Sequence, residues 1–241
     1  MKTEEYSMEE NPLVCEAWRT FLLLTFVGGF FGAFTYAIRG NVFCNAQTAN
    51  VVLCAMSLGR GEWSQAAYYL IPISAYILGA FISESVPNQI KLRLHIRWDT
   101  AFLALEMAVV VFLGLLPENA PYQITQVVVN LIMSMQYNTF RQTRHIPMAT
   151  TFCTNHIRQI GVAASRALRH RDGNAGRRIL AHGKMLISFA AGAAISTVLC
   201  KYLFGRAILL TLLPLGFLFI DFLREDLRSG AGGLSRKPEG H

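Results

Sequence analysis

Charge is scarce in this sequence. Asp, Glu, Lys and Arg together make up 15% of the 241 residues, against about a quarter in ordinary soluble domains. With 53% hydrophobic residues and a mean hydropathy of +0.35, this excludes an ordinary water-soluble globule. It equally excludes disorder over most of the chain. Cysteines are few and odd in number, five in all (Cys15, Cys44, Cys54, Cys153, Cys200), with no C-x-x-C. Neither a disulfide framework nor a zinc site is supported, and no cofactor is expected. H-E-x-x-H, G-x-S-x-G and paired-carboxylate motifs are missing, which argues against an enzyme. The segment from Met1 to Asn11 carries four glutamates and one lysine. That is not the basic start of a signal peptide.

What the chain has is apolar length. Six stretches are expected to span a membrane as helices: Trp18–Ile38, Ala66–Ile82, Ala101–Leu116, Ile124–Met135, Met185–Leu199 and Ile208–Phe222. The lipid bilayer is the expected environment, since about 20 apolar residues cover its hydrocarbon core. The net charge of +7 would suggest nucleic acid in a soluble protein. Here the basic residues sit between apolar stretches, the pattern of topological anchors, so no nucleic-acid partner is expected.

Two weaker segments stand apart. Ala46–Leu58 has thirteen residues, a polar first turn and an apolar second half; as helix it is about 20 Å long, too short to span. Ala149–Ala164 contains Asn155, His156, Arg158 and Gln159, which a lipid-facing helix would not carry near its centre. Both are expected to be short re-entrant or amphipathic helices. The order strong, weak, strong, strong occurs twice. At an offset of 106 residues Thr48-Ala49-Asn50 falls on Thr154-Asn155-His156, and at 113 the stretch Tyr76–Ser83 falls on Phe189–Ser196. These matches suggest an internal duplication.

Charge placement separates two topologies. If all eight segments cross, the basic residues divide between both faces. If the two weak segments dip in and return, Lys91, Arg93, Arg97, Arg141 and Arg144 join one face and Arg60 leaves it. The division is then far more one-sided, as the positive-inside rule requires. The expected fold class is therefore an all-α integral membrane protein with six transmembrane helices, two short re-entrant or amphipathic helices and two inverted repeats. Its domain plan is a cytoplasmic N-terminal segment (1–16), one membrane domain (17–225) with repeats at 17–117 and 121–223, and a disordered tail (226–241). Both termini are placed in the cytoplasm. Inverted repeats with interrupted helices characterise transporters.

Several blocks resemble a known family. They are Gly28-Gly29 through Tyr36, then Gly40-Asn41-Val42-Phe43-Cys44-Asn45-Ala46-Gln47-Thr48-Ala49-Asn50, then Gly61-Glu62-Trp63 and Tyr69–Pro72. A second group is Ser134-Met135-Gln136, Phe140-Arg141 and Ala149-Thr150-Thr151-Phe152-Cys153-Thr154-Asn155. Over about residues 20–222 the chain resembles the YoaK family, bacterial integral membrane proteins catalogued as domain of unknown function 1275. The resemblance implies a multi-pass protein of the bacterial plasma membrane and carries no activity with it. Two positions depart from the family pattern. Its first-helix aspartate is Gly32 here, and the glycine of its T-G-N triplets is Ala49 in one half and Asn155 in the other.

The expected ligand-binding residues are Asn45, Gln47, Thr48 and Asn50 at the first short helix, Gln136, and Thr151, Thr154, Asn155 and Arg158 at the second. A helix that starts inside the membrane leaves unpaired N–H groups there, suited to an anion or polar ligand. The competing reading is local capping or polar contact between packed helices. Arg158 either biases the site toward anions or reaches to the cytoplasmic interface. Glu106 lies in an apolar helix, as a proton carrier or an interfacial partner of Arg97. The stretch Arg166–Arg178 is expected to be a basic loop. The resulting expectation is a transporter or channel for a small polar solute, with an anionic one favoured by Arg158, and with room for a homo-oligomer. The alternatives are a membrane-embedded enzyme and a structural or signalling membrane protein.

Overall fold

The computed structural model describes residues 13–86, 96–143, 146–170 and 173–233. A 3-10 turn (Val14–Glu16) leads into α1 (Trp18–Ile38), α2 (Gln47–Gly59), α3 (Trp63–Ser85), α4 (Trp98–Gly114) and α5 (Tyr122–Thr139). A small antiparallel hairpin follows, β1 (Gln142–Thr143) with β2 (Ile146–Pro147). Then come α6 (Thr154–His170), α7 (Ala175–Leu203), a 3-10 stretch (Phe204–Thr211) and α8 (Leu212–Gly233). The architecture is helical, as expected.

The core is apolar, with Phe21, Leu24, Phe30, Phe102 and Ile132 in it, but polar side chains are buried among these and large apolar ones lie outside. Thr25, Thr35, Asn50, Glu106, Gln126, Asn130 and Gln136 are buried, while Ile77, Phe81, Ile187 and Leu213 are each at least 66% exposed. A soluble fold would reverse these two sets. Three helical stretches among the described residues are long and apolar enough to cross a membrane: Trp18–Ile38, Trp63–Ser85 and the run Ala175–Arg228. Apolar helices of this length and these exposed apolar faces suggest a helical membrane protein. The third run covers both of the last two expected spans and is broken at Phe204, whose φ of 47° a phenylalanine rarely adopts. The other two expected spans differ in kind. The helix α4 has 17 residues, about 25 Å, and α5 buries Gln126, Asn130, Ser134 and Gln136 along its length.

Helix pairing is reciprocal. The helix α1 packs along α7 and α3 along α5, while α2 lies on α3 and α6 on α7; α4 meets α8. Both long crossings are held backbone to backbone at glycine. A Cβ on Gly29 would lie 2.1 Å from the Phe189 carbonyl oxygen, and one on Gly192 2.0 Å from that of Phe26. At the other crossing a Cβ on Gly79 would lie 2.3 Å from the Leu131 carbonyl oxygen. Only hydrogen at these positions allows such approach, the usual basis of tight helix packing in lipid. The Ser188 hydroxyl adds a 2.7 Å bond to the Leu22 carbonyl.

Each end of the bundle is tied by charge. At one, Arg97 caps α4 and lies 2.8 Å from Asp226 on α8, with Glu225 and Asp99 around the same guanidinium. Asp226 also accepts from the Arg97 amide and the Thr100 hydroxyl. At the other end α1 stops where Gly40 and Asn41 turn with positive φ. Buried Arg39 pairs there with Glu118, which also accepts from the Gly205 amide at 2.8 Å.

Three expectations shift. The second short helix begins at Thr154 rather than Ala149. The Ala149 carbonyl bonds the His156 ring at 2.7 Å and Thr150 presses against Gly28, so residues 149–153 form a turn ahead of it. The stretch Arg166–Arg178 is mostly helix, because α6 reaches His170 and α7 starts at Ala175; alanine and arginine favour helix, and charge does not prevent it. The helix α8 extends to Gly233, past the expected start of the tail at 226, and residues 1–12 and 234–241 lie outside the described ones.

Candidate functional site

Both short helices begin mid-way along their long neighbours. The Asn45 side chain donates to the Gly28 carbonyl, near the centre of α1, at 3.1 Å. It fits because residue 32 is glycine: a Cβ there would lie 2.7 Å from the Asn45 amide nitrogen. The space beside Gly32 is thus filled from the side by a neutral amide. The Gln47 side chain donates to Asn130 Oδ1, mid-way along α5, at 2.6 Å and to the Cys44 carbonyl at 3.2 Å. Asn50 in turn donates to Gln47 Oε1 and to the Phe43 carbonyl, both at 3.1 Å. This chain of amides fixes the start of α2 at the depth of Asn130. No side chain caps α2, so its first N–H groups are left for another acceptor.

The start of α6 is braced differently. His156 is buried, with Nε2 on the Ala149 carbonyl and Nδ1 2.9 Å from Nδ1 of His182 on α7. A carbonyl only accepts, so His156 carries its hydrogen on Nε2 when neutral, and His182 Nδ1 donates the shared one. An aromatic pair precedes each short helix. Tyr36 stacks on Phe43 with centroids 4.4 Å apart, and Tyr137 packs on Phe152 at 4.8 Å. Each tyrosine lies near the end of its long helix, each phenylalanine shortly before a short one.

Between the two starts lies a cavity of about 620 Å³. From the first half it is lined by Gly29, Gly32 and Ala33 on α1, by Phe43, Asn45, Ala46, Gln47 and Thr48 around the start of α2, and by Tyr76 on α3. From the second half come Phe152, Cys153 and Thr154 around the start of α6, with Phe189 and Ala193 on α7. Among the described residues the lining contains no charged side chain.

The sequence-predicted residues divide into three groups. Asn45, Gln47, Thr48 and Thr154 meet at the cavity. Asn50, Gln136 and Thr151 are fully buried behind it: Gln136 donates to the Leu24 carbonyl at 3.3 Å and Thr151 lies against the Tyr76 phenol. Asn155 and Arg158 bond each other at 3.2 Å on the exposed side of α6, so the charge of Arg158 is not part of the cavity wall. Glu106 is buried without a hydrogen-bond partner among the described residues.

Sequence reasoning does not single out the aromatic walls. Tyr76 and Phe189 carry a signal all the same, since they coincide at the 113-residue offset. The His156–His182 contact carries none.

The pattern of proteins of unknown function designated DUF1275 matches residues 20–220. The chain belongs to this family. No curated protein and no solved structure matches it. The DUF1275 match runs from within α1 to within α8 and includes every described residue of the cavity wall.

Proposed function

We propose that this DUF1275 protein is a transporter or channel for a small polar solute, working by the cavity between the starts of α2 and α6. In this reading the chain has six spans and two re-entrant helices. Its two halves are inverted repeats, and both termini lie in the cytoplasm of a bacterial cell. The reciprocal pairing of helices supports the repeat, because exchanging the halves turns the α1–α7 contact into the α5–α3 contact. So do Gly192 against the Phe26 carbonyl and Gly79 against that of Leu131. The offset of 113 relates the glycines, and an offset of 105 relates the carbonyls.

The observation that carries the functional reading is the origin of the cavity wall. Both halves contribute helix starts that lie level with the middle of long helices; in the six-span reading that is membrane depth, where irregular backbone is tolerated only against protein or a polar cavity. Transporters bind substrate at such repeat interfaces. We read the protein as non-enzymatic because the sequence lacks H-E-x-x-H, G-x-S-x-G and paired-carboxylate motifs. The test is labelling of Thr48→Cys and Thr154→Cys, in a background lacking the native cysteines, in oriented liposomes. Each should react with a membrane-impermeant maleimide added from either face. Reaction from one face alone overturns the transport reading.

A further inference from the structure

The cavity wall also says what kind of solute fits. Phe43, Tyr76, Phe152 and Phe189 supply aromatic faces, and Gly29, Gly32, Ala33 and Ala193 leave room between them. Its volume of about 620 Å³ lies within the usual range for small organic ligands, about 300–1,000 Å³. A strongly hydrated inorganic ion would lose its water against these rings without replacement, which is costly. The wall therefore suits a solute with an apolar body.

The polar end is equally specific. Gln47 spends both of its amide hydrogens on Cys44 and Asn130, and Asn45 spends one of its two on the Gly28 carbonyl. Thr48 and Thr154 line the cavity; both are exposed, and neither hydroxyl has a hydrogen-bond partner among the described residues. They are equivalent at the 106-residue offset, one from each half. Beside them are the starts of two helices of 13 and 17 residues. Each start carries about half a positive charge, so together they suit about one negative charge. Aromatic faces can also hold a cation, but here a cation would sit against both positive helix ends.

We propose that the cavity binds a small organic monocarboxylate with an aromatic or branched apolar body, its carboxylate accepting from the hydroxyls of Thr48 and Thr154. The substrate class rests on the transport reading above, while binding itself is measurable without transport. The full chain in nanodiscs is heated with 3-phenylpropionate, 3-phenylpropylamine, propionate or sulfate. The aryl acid should raise the melting temperature by about 4 °C at a tenfold excess over its Kd, and the other three by less than a quarter of that. In Thr48→Val/Thr154→Val the shift should vanish while the unliganded melting temperature stays as in the parent. The second measurement is the probe ranking on the unsubstituted chain. An equal shift by the amine, by propionate or by sulfate overturns the proposal, as does no shift by any probe, or a shift that survives the double substitution. Two-sided labelling without aryl-acid binding would reject this substrate class alone. Aryl-acid binding with one-sided labelling would reject transport alone.

Discussion

Adding one methyl group at Gly192 should loosen the whole bundle. An alanine Cβ there would lie 2.0 Å from the Phe26 carbonyl oxygen, 2.9 Å from its carbon and 3.1 Å from the Phe30 nitrogen. Ordinary contact begins at 3.4 Å, so α1 and α7 must separate locally by about 1.4 Å. The obstacle is backbone within a helix, and no side-chain rotation relieves it. Overpacking of this sort costs about 1–3 kcal/mol, and the rigid neighbour places Gly192→Ala toward the upper end. For a chain of this size that is a fall of about 4–10 °C in melting temperature. The assay is thermal unfolding of the detergent-solubilised protein, monitored as loss of monodisperse material. Gly183→Ala is the internal control: it lies on the same helix with nothing within 4 Å, and alanine should be neutral or stabilising there by up to about 1 kcal/mol. Equal melting of the Gly192→Ala and Gly183→Ala proteins would refute the backbone contact and with it the helix pairing.

Gly79→Ala should behave like Gly192→Ala but more mildly, since its Cβ would stand 2.3 Å from the Leu131 carbonyl oxygen; unfolding in the same detergent ranks the two. Arg97→Gln should cost about 3–5 kcal/mol by stranding Asp226, Asp99 and Glu225, seen as loss of folded yield, with Arg97→Lys recovering part of it. His182→Ala leaves His156 Nδ1 without its donor and should cost about 1–3 kcal/mol, read as a lower melting temperature. Arg158→Gln should leave aryl-acid stabilisation unchanged, because Arg158 faces outward; a lost shift would return that residue to the site.

The apolar helices were legible because hydropathy is local. Trp18–Ile38 and the start of α2 emerge within a residue of their expected limits, and four of the nine expected site residues line the cavity. What escaped depends on contacts across the chain. Residues 149–153 read as helix by composition, yet His156 and Gly28 claim their backbone. Arg158 read as part of a polar face with Thr151 and Asn155, but only the packing on α7 decides which way that face turns. Arg97 and Asp226 stand 129 residues apart with no pattern linking them. Phe43, Tyr76, Phe152 and Phe189 are far apart in sequence, and only the folded chain brings their rings round one space.

The glycine crossings set the order in which this chain can be made. Their partners lie in opposite halves: α1 closes on α7, and α3 on α5. During synthesis α1 must therefore wait for roughly 150 further residues before its true neighbour arrives, its glycine and threonine face meeting only lipid or a chaperone. Neither half can complete itself, since each lacks the surface its long helices were shaped to meet. Cut in the Leu115–Pro121 loop and expressed as two polypeptides, the halves should accumulate only when made together. Each then serves as the other's assembly partner, because it carries the seam that the other's long helices must fill.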